Sequence, residues 1–154
     1  MVTFAPPMDI SEAKAKLSPL MTQAVHEHAP VRIARRGETD EVVLLSRRQL
    51  LEQVLSQEAL AVTMTAEEGA FVATIPGLGL IGAGETVDSA MTELREAVDE
   101  HVYEFFSNLR FWEETTHMAY FRPLLRYFLM NTDERLRLLM GDEQDKELDP
   151  TGKP

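Results

Sequence analysis

Residues 60–106 pass from two alternating segments straight into a long helical pattern, and this succession constrains the chain more than any other feature. In "LAVTMTAEEGAFVATIPG" apolar and polar residues alternate on both sides of "EEG", the pattern of two half-buried strands, 60–65 and 70–75, joined by a tight turn. "GLGLIGAGET" adds a glycine-rich turn and a short third strand at 80–83. "VDSAMTELREAVDEHVYEFF", 87–106, then sets Ala90, Leu94, Ala97, Val98 and Val102 on one stripe, with Thr86 as the N-cap. A sheet with one apolar face and a helix with one apolar stripe bury both by packing together. The expected product is a small α+β sandwich, open on one side.

The N-terminal stretch mixes the same two periods in another order. "VTFA", 2–5, reads as a short strand stopped by Pro6 and Pro7. "ISEAKAKL" reads as a short helix capped by Ser11. "LSPLMTQAVHEHA" reads as a second helix capped by Ser18, with Pro19 at its first position and Leu17, Leu20, Met21, Ala24 and Val25 on one buried face. Pro30 ends it. The β-branched runs "VRIA" and "EVVLL" around "RRGETD" predict a hairpin, and Ser46 caps a third helix, "SRRQLLEQVLSQ".

Beyond residue 107 the pattern is helical and aromatic. Pro123 starts or kinks a helix reaching Met130, Asp133 caps a last one, and Gly141 closes it. The fold class expected is α+β, in four parts: 1–58, 59–107, a helical extension 108–141, and a charged tail 142–154 expected to be disordered.

Charge is distributed unevenly over these parts. The formal net charge of −11 argues against a general nucleic-acid binder, but residues 1–58 sum to only −1, 59–110 to −7 and 111–154 to −3. Five arginines, Arg32, Arg35, Arg36, Arg47 and Arg48, crowd around the predicted hairpin. A guanidinium fork matches phosphate oxygens and guanine edges, and a hairpin would hold it rigidly. The competing reading is a solvated turn whose arginines pair with Glu38, Asp40 and Glu41. The absence of cysteine, of a cationic-then-apolar leader and of any apolar run long enough to span a bilayer leads us to expect a cytoplasmic protein with no membrane partner.

The stretch from Ile10 to Leu55 resembles the N-terminal domain of the Phd/YefM antitoxin family. The resemblance rests on Ser11 to Lys14, Leu17-Ser18, the His28-Ala29-Pro30 step, the Arg35-Arg36-Gly37 turn and Ser46 after the second strand, and it covers residues 8–55. It implies a homodimer that binds operator DNA and represses its own operon. Lys14 and Arg35 would face DNA at the family's basic positions, Lys14 standing where arginine is common, with Arg36, Lys16 and Arg32 as further candidates. Residues 60–106, through "FVATIPGLGLIGAGETVDSAMTELREAV" and its Gly84-Glu85-Thr86 element, are similar to the HicB antitoxin domain. The turn lacks that family's usual acidic residue and second proline. Together the two resemblances imply an antitoxin whose acidic C-terminal part neutralises a cognate protein toxin, expected to be a ribonuclease. The alternative is an orphan regulator without a toxin.

Eight aromatic residues fall between Phe105 and Phe128. They complete a core, or else Phe111, Trp112, Tyr120, Phe121, Tyr127 and Phe128 form a partner-binding surface. Gly77, Gly79 and Gly82 match a dinucleotide fingerprint in spacing, but the helix begins too late to hold a pyrophosphate at the third glycine. His101 and His117 have no ligand at a telling spacing, Ser11, Ser18 and Ser46 read as caps, and adjacent carboxylates diverge on helices. We therefore expect no catalytic residues, no cofactor and no metal.

Overall fold

A computed structural model describes residues 5–37 and 39–141. The expected strand at 2–5 and the expected disordered tail lie mainly or wholly outside these residues. The chain forms two compact units, dividing between Ser56 and Gln57. Both mix helix and sheet, so the α+β class holds.

The first unit opens with a two-residue strand, β1 (Met8–Asp9), which pairs in parallel with β2 (Val31–Ala34) through Met8↔Ile33 and Asp9↔Ala34. β2 pairs antiparallel with β3 (Glu41–Leu44), giving the order β1-β2-β3. The hairpin is as expected, and Gly37 adopts φ +82° in its turn, where a side chain would be strained. β1 is too short to show a sequence period.

Helix α1 (Ile10–Ala15) is capped by Asp9, whose side chain accepts from the Ser11 N–H at 2.9 Å, so Ser11 is not the cap. Helix α2 (Leu17–His26) starts two residues earlier than Ser18 would place it. Lys16 precedes it without a side-chain cap bond, and Ser18 and Pro19 lie inside the first turn. The N–H groups of a first turn have no intrahelical acceptor, so proline is tolerated there at more than one position. The stripe expected on α2 also divides: Leu20 and Ala24 are buried, while Leu17, Met21 and Val25 are 52%, 52% and 47% exposed. Ala13, Leu20 and Val31 make the small core, flanked by Met8, Ile33 and Leu44. Ser46 caps α3 (Arg47–Gln49), as expected, which continues as a π turn over Leu50–Val54.

The second unit contains β4 (Thr63–Glu67), β5 (Ala70–Ile75) and β6 (Leu80–Gly84) in one antiparallel meander, with a 3-10 turn at Pro76–Leu78. Helix α4 (Val87–Ser107) is capped by Thr86 in a capping box with Ser89. It buries Ala90, Met91, Leu94, Val98, His101, Val102 and Phe105. Gly82 carries this packing: a Cβ there would overlap the backbone of Leu94 and Ala90. The third glycine of the fingerprint pattern thus serves helix–sheet contact.

Helix α5 (Leu109–Trp112), a 3-10 turn (Thr116–Tyr120), α6 (Phe121–Leu129) and α7 (Thr132–Met140) follow. Asn131 caps α7 in a box with Glu134, so Asp133 sits in the first turn instead; Gly141 closes the helix in the left-handed region. A polar knot ties these helices to α4. Tyr127, fully buried, donates its hydroxyl to Asp99 at 2.8 Å. Arg135 donates to Asp99 at 3.3 Å, to the Tyr127 carbonyl at 3.0 Å and to the Phe128 carbonyl at 3.2 Å. Burial, with the hydrogen bond to Asp99, raises the Tyr127 hydroxyl far above its ordinary pKa, so it stays a donor. Glu58 fastens the other end of α6 through Arg122 at 2.5 Å and, by its carbonyl, Arg126.

The structure joins two histidines that look unrelated in the sequence. The His101 and His117 rings lie 5.2 Å apart. Trp112 stacks on His117 at 4.9 Å and 12°, and meets His101 edge-on at 5.3 Å. His101 is buried with no partner for Nε2, and His117 none for Nδ1. Burial first, and His117 second, lower the His101 pKa, while Glu104 opposes them weakly.

Two outcomes follow from this packing. Gly82→Ala should separate β6 from α4 and lower the unfolding free energy by about 1–3 kcal/mol, read as a lower urea midpoint. His101 folds neutral with a depressed pKa, so its contribution is complete above the ordinary imidazole value of 6.5 and is lost as pH falls below it towards the folded value. Urea midpoints should therefore drop between about pH 7 and about pH 5, and His101→Phe should flatten that slope.

Candidate nucleic-acid interface

The candidate cations all lie in the first unit, and its sheet sets their positions. Asp9 precedes α1 and pairs with Ala34 at the end of β2. The helix bearing Lys14 therefore starts beside the strand end from which Arg35 and Arg36 emerge. This juxtaposition depends on β1, which the sequence does not announce. Lys14 is exposed in the last turn of α1, and Arg35 and Arg36 are exposed at the head of the β2–β3 turn.

Arg32 and Lys16 are each held by an acid. Arg32 donates Nε and Nη2 to the two carboxylate oxygens of Glu41 at 2.8 and 2.7 Å, diagonally across the hairpin. That hydrogen-bonded pair lowers the Glu41 pKa and raises that of Arg32. A bidentate partner already occupies the fork that would read a phosphate. Lys16 donates to Glu12 at 2.8 Å one turn back on α1. Arg48 does the same with Glu52 at 2.8 Å. Of the five candidates, Lys14, Arg35 and Arg36 are exposed where α1 meets the hairpin turn; Arg32 is paired with Glu41, as the solvated-turn reading expects, and Lys16 with Glu12.

Beside these cations the first unit exposes apolar surface. Leu17, Ser18, Met21, Thr22, Val25 and His26 line a shallow groove along α2, and Val42 and Val43 on β3 are 68% and 56% exposed. Nothing in the spacing of α2 distinguishes this stripe from the buried one beside it. The placement of α1 and β2 decides which is covered.

The six aromatic candidates of the second unit separate by burial. Tyr127 belongs to the polar knot and Trp112 to the histidine cluster. Tyr120 sets its hydroxyl against Gly77, where any Cβ would collide with it. Phe121 packs 6.4 Å from Phe105 and 5.8 Å from Phe106. Phe111 and Phe128 remain 63% and 49% exposed, with Tyr103 of α4, which the sequence reading did not single out, 74% exposed. Of the eight aromatic residues, Phe105 and Tyr127 are buried and Phe106, Trp112, Tyr120 and Phe121 half-buried.

Among the described residues no group of three or more histidines and acids is arranged to hold a metal ion, and no helix is long and apolar enough to cross a membrane.

Residues 6–140 match the PHD-like family, described as "Antitoxin of toxin-antitoxin, RelE / RelB, TA system". The match runs through both units. A similar fold occurs in a crystal structure from Syntrophomonas wolfei subsp. wolfei, described as the antitoxin part of a proposed toxin/antitoxin system. It is 19% identical, with a TM-score of 0.71 over 87% of this chain and 96% of that one. No curated protein matches. With a single family pattern spanning nearly all of both units, the chain belongs to the PHD-like antitoxin family of RelE/RelB toxin–antitoxin systems.

Proposed function

We propose that this antitoxin divides its work between its two units, the first binding operator DNA as a homodimer and repressing its operon, the second neutralising the cognate toxin. The observation that carries the DNA assignment is the alignment of α1 with the end of β2, which gathers Lys14, Arg35 and Arg36 on a Phd/YefM-like unit. One such patch reaches few phosphates. Two copies related by a dyad reach enough for useful affinity, and this favours a dimer. The exposed stripe Leu17, Met21, Val25 on α2 is the surface for that pairing.

The second, HicB-like unit repels nucleic acid rather than attracting it, because residues 59–110 alone sum to −7. A ribonuclease toxin holds RNA in a cationic cleft, and an acidic partner competes there electrostatically. Phe111 and Phe128 are the aromatic candidates left to contact it. In this reading the protein acts by steric and electrostatic exclusion and makes or breaks no bond. An orphan regulator would have the same first unit; a toxin gene beside this one distinguishes the two.

Two experiments test this reading. Lys14→Ala with Arg35→Ala should weaken operator binding at least tenfold in a gel-shift titration, with the circular dichroism spectrum and toxin co-purification unchanged. Undiminished binding removes both residues from the interface. Met21→Glu places a charge in the α2 stripe without touching the cations. It should disrupt the pairing of the first units and lower the slope of log K against log[salt], which scales as about −0.9 per phosphate neutralised.

A further inference from the structure

The sheet of the second unit ends in two strands with unequal protection. At the β6 edge, Ala83 donates its backbone N–H to Glu93 Oε2 at 2.7 Å, a carboxylate supplied by α4. Helix α4 lies closest to β6, then to β5. A strand approaching β6 would have to displace that carboxylate.

β4, the other edge, carries no such device. It pairs with β5 in continuous register from Thr63↔Thr74 to Glu67↔Ala70, so it is extended and unbulged. Edges are ordinarily blunted by lysine, proline, a bulge or a cover. Thr63, Met64, Thr65 and Ala66 supply none of these, and among the described residues no further strand joins the sheet on this side. The single charge on β4, Glu67, stands at its end.

We propose that β4 pairs antiparallel with β4 of a second copy of this chain, merging the two sheets into one of six strands. The register that uses all five residues sets Thr65 opposite Thr65, Thr63 opposite Glu67 and Met64 opposite Ala66. Each pair is complementary: threonine hydroxyls meet each other or a carboxylate, and a large side chain meets a small one. Side chains keep their faces, so Thr63, Thr65 and Glu67 extend the outer face that also carries Val72, Thr74 and Ile81. The two Glu67 carboxylates end about 14 Å apart at about 3.4 Å per residue, beyond the screening length of about 8 Å. A register centred on Glu67 would instead oppose them. A cationic strand from another protein would meet countercharge only at the Glu67 end, since the body of β4 is neutral. The contact lies within the second unit and is independent of the α2 stripe.

The chain has no cysteine, so Thr65→Cys introduces one thiol per copy. In the proposed register two such thiols face each other with Cα atoms about 4.5–5.5 Å apart, within disulfide range. Thr74→Cys, on the same face of the central strand, is the control. Under mild oxidation the full-length Thr65→Cys chain should run predominantly as a cross-linked dimer on a non-reducing gel, at least tenfold more than Thr74→Cys. It should still do so with Met21→Glu added, which removes the first unit's pairing. Equal cross-linking of the two cysteine variants overturns the proposal, as does cross-linking of Thr65→Cys that vanishes with Met21→Glu. Both variants replace threonine by a residue of similar size, and matching circular dichroism spectra confirm that the fold is retained.

Discussion

The close approach of α4 to β6 at Gly82 is the constraint on which the second unit depends. A strand and a helix normally meet through side chains on both, at a distance those side chains set. Here one partner has none, and the helix backbone at Ala90 and Leu94 takes the space. Ala90, Leu94 and Val98 are consequently sealed against the sheet. The same approach fixes α4 over one side of the meander, near β6 and farthest from β4. Burial on one edge and openness on the other are two results of one packing choice.

The C-terminal helices are attached by polar as much as by apolar means. Asp99 lies among the acids of α4, yet it is the one met by both a buried tyrosine hydroxyl and an arginine. Hydrogen bonds to a charged group are worth about 1.5–3 kcal/mol, and losing one partner leaves the others unsatisfied. Such a knot gives a unique docking position to helices whose apolar faces alone would slide. The aromatic nest of Phe105, Trp112, His101 and His117 closes the other end of α4. The His101 imidazole, buried with no partner for Nε2, makes it sensitive to protonation, which a wholly hydrocarbon nest would not be.

In the first unit, acids engage two of the exposed candidate cations. Five basic candidates look alike in a list, but Glu41 and Glu12 each claim one. Those pairs stiffen the hairpin and α1. β1, by aligning α1 with the hairpin turn, is what brings Lys14 near Arg35 and Arg36. A protein of net charge −11 can approach a polyanion only through such a confined region, with its excess of acid carried elsewhere in the chain.

The hairpin, the meander, α4 with its Thr86 cap and the closure at Gly141 were legible because each is local. Alternation, a 3.6-residue stripe, a capping oxygen and a left-handed glycine all act within a few residues of themselves. The caps at Asp9 and Asn131 were missed because several neighbouring side chains were chemically able to serve, and backbone entry angle chose among them. β1, the exposed half of the α2 stripe and the meeting of His101 with His117 were decided by tertiary structure alone. Each joins residues that are remote in the chain or sets a choice between equivalent faces. Periodicity says that a face is apolar; only the position of its neighbour says whether that face is covered.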